Sequence, residues 1–221
     1  EDLEEGGFYR FIPEVKSKRK ANYKKGILQV ANINNNNVEW INVPEPQANP
    51  EVKKDKETEH ISVLMKRGNN SKIKYSIFNR GEGSYYYQGK IFFATHGDNS
   101  IWVYSISDET LVKFYNGDGV LAKPDSITVS KNGPILAADD SGDMEIVAIS
   151  QKTKKTFSLL RIVGQKGSEI TGPAFDPSGS RLYFSSQRGK IKVKKQNKGK
   201  IYEFVRSGVT YEVTGPFKNF F

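Results

Sequence analysis

Three acids recur at one phase of a repeat. Glu82, Asp125 and Glu169 lie 43 and then 44 residues apart. Each stands before a β-prone run: Tyr85-Tyr86-Tyr87, Ile127-Thr128-Val129, and Thr171 to Phe175. Each run then meets a turn (Gln88-Gly89, Lys131-Asn132-Gly133, Pro177-Ser178-Gly179) and a second apolar run. Carboxylates brought together raise one another's pKa, and a multivalent cation relieves that repulsion. Oxygen donors without cysteine or a nearby histidine suit a hard ion, Ca2+ rather than zinc. The plainer role also stands: acids at the head of a strand cap turns or pair with arginine.

Other candidates for chemistry are few. Asp139-Asp140-Ser141-Gly142-Asp143 is a second acidic cluster, readable as a fragment of a calcium loop or as a solvated turn. His96 sits in a turn, and His60 beside a charged stretch has less claim still. There is no Cys, which excludes disulfides, thiol nucleophiles and thiolate metal sites. No GxSxG elbow, phosphate-binding loop or HExxH pair occurs.

Four short antiparallel strands in about 40–45 residues is the period of a β-propeller blade. The pattern predicts strands at 84–87, 90–95, 100–106 and 111–115, then 125–130, 134–138, 145–149 and 156–162. A third set falls at 170–175, 181–185, 200–205 and 209–213. Blades are expected over 80–120, 121–164 and 165–221, with an incomplete N-terminal blade over 1–43. That blade holds a strand in Phe8–Ile12 stopped by Pro13, a charged turn over Lys16–Lys25, and strands near 26–31 and 38–43. Residues 44–79 read as an insertion and lead-in, with a short helix suggested by Ile61, Leu64 and Met65. The fold class expected is all-β: a partial propeller of about three to four four-stranded blades, forming one domain over 1–221. The first strand of a blade is innermost, so the three acids would form a ring.

The chain carries 34 Lys and Arg against 25 Asp and Glu, a net charge of +9, with basic tracts at Lys16–Lys20 and Lys190–Lys200. Such tracts serve as solvated, aggregation-blocking edges, or as contacts for an anionic polymer, a membrane or a phosphorylated substrate. No stretch reads as a transmembrane span or signal peptide. Residue 1 is Glu, which suggests a processed chain or a piece of a longer one.

The motifs resemble the C-terminal part of the PhoX-type alkaline phosphatase family. The resemblance rests on Gly6-Gly7-Phe8-Tyr9-Arg10-Phe11-Ile12-Pro13, Arg80-Gly81-Glu82-Gly83, Gly97-Asp98-Asn99-Ser100-Ile101-Trp102 and Asp125-Ser126-Ile127-Thr128-Val129-Ser130. It continues through Glu169-Ile170-Thr171-Gly172-Pro173, Phe175-Asp176-Pro177-Ser178-Gly179 and the closing Tyr211 to Phe217. It implies a six-bladed propeller holding Ca2+ and Fe3+ at its channel mouth, a phosphomonoester substrate and a periplasmic or extracellular location. By the same resemblance Glu82, Asp125 and Glu169 match metal ligands, and Asp140 an acid near the site. The family's iron-binding cysteine lies in an N-terminal half that has no counterpart here. The chain alone is therefore expected to be inactive and to need the missing N-terminal blades of its own parent. The alternatives are a non-catalytic calcium- or anion-binding propeller and, more remotely, a sugar-handling or lactonase-like one. No specific nucleic-acid partner is implied.

Overall fold

The computed structural model describes residues 2–17, 20–46, 65, 68–117, 119–131, 133–140, 144–165 and 167–217. The chain is all-β, built from antiparallel sheets, and divides into two compact units. One comprises Glu1–Gly81 with Tyr104–Val112, the other Glu82–Val103 with Lys113–Phe221.

The first unit is led by β1 (Tyr9–Ser17), β2 (Lys20–Asn34) and β3 (Asn37–Asn42), paired in that order. The asparagine run closes the β2–β3 hairpin: Asn35 and Asn36 take φ of 49° and 68°, a left-handed pair that asparagine tolerates. Pro13 does not stop β1, contrary to the sequence expectation. The strand runs to Ser17, with a register shift at Pro13/Glu14 that accommodates the missing N–H. Gly26, opposite Pro13, permits this: a Cβ there would lie 2.3 Å from the Ile12 carbonyl oxygen. Most of the expected charged turn over Lys16–Lys25 is likewise strand.

Phe8, Trp40, Phe78 and Tyr104 pack together in this unit, and Trp40 Nε1 donates to Tyr104 Oη at 3.1 Å. Met65 is buried with Val30 and Val43, while the rest of the expected helix, 61–64, lies outside the described residues.

The second unit holds the repeat. Its first blade is β4 (Gly81–Tyr87), β5 (Lys90–Thr95), β6 (Ser100–Ser105) and β7 (Thr110–Asn116), with part of the β6–β7 hairpin belonging to the first unit. Next come β8 (Pro124–Val129), β9 (Ile135–Asp139), β10 (Glu145–Ile149) and β11 (Thr156–Arg161). Each quartet is ordered as a meander with its first strand at one edge. The third group differs from the expectation of four strands: it has β12 (Ile170–Phe175), β13 (Arg181–Asn197) and β14 (Lys200–Thr214). The strands expected at 200–205 and 209–213 are one. Gly208, at φ 85°, lies opposite a bulge in β13 and does not reverse the chain.

Strand alternation gives the middle blade two buried faces. Ile135, Ala137, Val147 and Ile149 join Phe92 and Ile101 in one cluster. Leu136, Ala138, Ile146 and Ala148 join Ile170, Leu182 and Phe184 in another. The first strands of successive blades consequently lie side by side. A Cβ on Gly83 of β4 would sit 2.8 Å from Ser126 Cα and 2.9 Å from the Asp125 carbonyl oxygen. Ser126 Oγ in turn lies 3.4 Å from Thr171 Oγ1 of β12. Gly83→Val should lower the unfolding free energy by about 1–3 kcal/mol through overpacking, read as a shift in denaturant midpoint. A wild-type midpoint would show that the two strands can part freely.

Candidate functional site

Within the second unit, the edge strands β4, β8 and β12 carry Glu82, Asp125 and the approach to Glu169. Glu82 immediately precedes the glycine that touches β8. Asp125 accepts from its neighbour Ser126 Oγ at 3.3 Å. The closest chemistry lies one strand further along, at the end of β9. Asp140 hydrogen-bonds with Glu169, and the charges of Glu169 and Asp125 both act on it.

Asp139 and Asp140 divide the work at this corner. Asp139 is buried, and its carboxylate accepts from the Ala122 N–H at 3.1 Å, fixing the chain that enters β8. The Asp140 N–H donates to the Lys123 carbonyl at 3.2 Å, and its partly exposed carboxyl joins Glu169. Ser141, Gly142 and Asp143, the remainder of the acidic cluster, lie outside the described residues, as does His60.

Two groups that sequence reasoning did not place in the site belong to it. Arg188 Nη2 meets Glu169 Oε2 at 2.8 Å, its side chain about half exposed. The bulge in β13 aims it there: the register breaks between Ser186 and Lys190. The Arg188 N–H donates to Ser168 Oγ at 2.8 Å, and the Gln187 N–H donates to the Glu169 carbonyl at 2.9 Å. Gly189 eases the bulge, since a Cβ there would press on the side-chain ends of Gln165 and Ser186, which would have to shift. A glycine inside a strongly basic strand was the one sequence signal for this bulge.

His96 is the second group. It is 9% exposed, and its Nδ1 stands 4.0 Å from Asp140 Oδ2. The turn that presents it is fixed by buried Thr95, whose hydroxyl donates to Asp98 at 2.5 Å and accepts from Trp102 Nε1 at 3.0 Å. Burial pushes Asp98 up, but hydrogen bonds from Lys113 and Thr95 outweigh it and hold the carboxyl below its usual range. Asn99 ties the same turn to the entry of β8, accepting from the Lys123 N–H at 2.7 Å.

The acid pair is polarised. Burial, the Glu169 hydrogen bond, and the charges of Glu169 and Asp125 raise Asp140 from 3.8 to about 6. Burial also pushes Glu169 up, but hydrogen bonds from Asp140 and Arg188 hold it below its usual range. Below about pH 6 the pair therefore keeps one proton, on Asp140, with Arg188 as counter-charge to Glu169.

For a hard cation, the donor chemistry fits, since these are carboxylate oxygens under mutual repulsion. The number of donors does not: among the described residues no group of three or more His, Asp or Glu could hold a metal ion.

Residues 1–110 match the family model of alkaline phosphatase PhoX. That segment is similar to the PhoX family. That segment includes Gly6 to Pro13, Arg80 to Gly83 and Gly97 to Trp102, and with them Glu82 and His96. Asp125, Asp140, Glu169 and Arg188 lie beyond it.

No curated protein matches the sequence. Among solved structures, the virginiamycin B lyase from Staphylococcus aureus is 19% identical with a TM-score of 0.41, over 56% of this chain and 40% of its own. A luciferin-regenerating enzyme is 20% identical with a TM-score of 0.46, over 64% and 47%. A nidogen/laminin complex is 17% identical with a TM-score of 0.43, over 59% and 51%. The chain thus spans about half the length, or less, of these structures. Likeness at this level carries neither activity nor partners across to this chain.

The acid pair makes stability depend on pH in a definite direction. Asp140 has a raised folded pKa, so the stability from its protonated form is present below 3.8 and lost as pH rises through about 6. Asp140→Asn should flatten that fall in a pH series of denaturant midpoints; an unchanged slope would mean that Asp140 does not hold the proton. Arg188→Gln should raise the pKa of both acids, read by carbon-detected NMR titration of their carboxyl groups.

Proposed function

We propose that this chain supplies the carboxylate side of a PhoX-like, metal-dependent phosphomonoesterase. The observation that carries the reading is the meeting of Asp140 and Glu169 within reach of the Asp125 charge, on adjoining blades of a chain with a segment similar to the PhoX family. The residues that the family resemblance assigns to Ca2+ and Fe3+ are Asp125, Asp140 and Glu169, with Glu82 from the neighbouring strand; to hold an ion they would have to draw closer than they stand in this chain. The implied site belongs to a six-bladed propeller completed by N-terminal blades of the same parent protein, in the periplasm or outside the cell. When bound, such ions would polarise a phosphoryl oxygen and activate a nucleophile.

The residues of this chain have separable tasks. Asp140 must give up its proton before both carboxylates can act as anionic ligands. Arg188 must then leave Glu169 or share it. His96, held by its turn 4.0 Å from Asp140, is placed to take part in that electrostatic adjustment.

The test uses the full-length parent. It should contain calcium and iron by elemental analysis and cleave p-nitrophenyl phosphate. Glu82→Gln and Glu169→Gln should each lower turnover by about 100-fold or more while leaving the fold intact. An iron- and calcium-loaded parent without turnover would remove the reading. The second reading, a non-catalytic calcium- or anion-binding propeller, draws on the basic tracts at Lys16–Lys20 and Lys190–Lys200 as a contact surface. A parent that retains neither metal would favour it.

A further inference from the structure

The net charge of this chain is concentrated in two β-hairpins that overrun the sheets they belong to. In the first unit, β3 pairs with β2 only from Gln29 to Asn34, whereas β1 follows β2 out to Lys20. Among the described residues, Ile12 to Ile27 thus forms a two-stranded arm. In the second unit, β12 pairs with β13 only as far as Ser186, while β13 and β14 stay paired out to Asn197 and Lys200. A two-stranded ribbon without a third strand or a covering layer is marginal in water.

Both arms have the same chemistry. Between Pro13 and Gly26 there are six Lys or Arg and one acid, Glu14. Between Lys190 and Ser207 there are seven and one acid, Glu203. Their combined excess is larger than the +9 of the whole chain, so everything outside them is slightly acidic. Large apolar side chains stand among these cations. Val15 is 71% exposed and Tyr23 77%, with Ile27 about half exposed. On the second arm Ile201, beside the turn, is 70% exposed. The register there also sets Val193 opposite Phe204 and Lys195 opposite Tyr202.

We propose that these two arms dock on an anionic lipid surface. Cations draw each arm to the headgroups, and exposed aliphatic and aromatic residues enter the boundary with the acyl chains. The mixture of residues selects lipid over nucleic acid. A sugar–phosphate chain would engage the lysines and stack on Tyr23, but it offers nothing to Val15, Ile27 or Ile201. A bilayer interface takes all of them. Docking of this kind is peripheral and reversible, and no helix among the described residues is long and apolar enough to cross a membrane.

The test is co-sedimentation of the 221-residue chain with phosphatidylcholine vesicles, with and without phosphatidylglycerol. Partition should rise about tenfold or more with the anionic lipid and fall with added salt. Lys20→Glu/Lys24→Glu/Lys25→Glu and, separately, Lys194→Glu/Lys198→Glu alter exposed positions. Each set should reduce partition while leaving the far-ultraviolet circular dichroism unchanged. Tyr23→Trp should shift its emission to the blue on anionic vesicles and be quenched by brominated acyl chains. Equal partition on neutral vesicles, or none on either, overturns the proposal. So does binding without a blue shift, which would leave charge attraction alone. Retention on heparin or RNA without vesicle binding would assign the arms to a polyanion instead.

Discussion

Close approach of the blades' first strands is the constraint on which the site depends. Gly83 leaves no room for a Cβ against Ser126, and Ser126 meets Thr171. Backbones packed this tightly bring the acids of neighbouring strands into one another's field, whatever those acids do. Like charges so arranged cost stability, and the structure offsets that cost twice. Below about pH 6 one proton stays on Asp140, and one guanidinium stays on Glu169. Both offsets are replaceable: the proton can leave and an arginine about half exposed can move aside.

Much of the fold was legible because propeller-like packing imposes two periods at once. Alternation along each strand is set by burial, and the 43- and 44-residue spacing is set by the size of a blade. The middle blade shows both, with β9 buried on each face and its neighbours matched to it. Reading failed where the chain departs from the pattern. Pro13 looked like a stop because the shift that absorbs it depends on Gly26, thirteen residues away and across the hairpin. The two strands expected after Lys200 merged because Gly208 answers a bulge in β13, and bulges have no period.

The site was legible to a lesser degree, for a related reason. Glu82, Asp125 and Glu169 announce themselves by phase. From the residues alone Asp140 is one member of an acidic run, and only the family resemblance singles it out from Asp139, whose carboxylate is committed to the backbone of Ala122. Arg188 stands in a stretch where every second residue is basic, and only the turn of the backbone at Gly189 sets it apart. His96 looked like a turn residue and is one. Its place near Asp140 comes from the anchoring of that turn by Thr95, Asp98 and Trp102 and from the hold of Asn99 on the entry to β8.

The proton held between Asp140 and Glu169 has a consequence for calorimetry. Below about pH 6 any cation that takes both carboxylates must expel that proton into the medium. The heat observed on association then contains the protonation enthalpy of the buffer. Titrations in buffers of different ionisation enthalpy would differ by an amount that counts the protons released, separating the intrinsic heat of ion capture from the heat of emptying the pair.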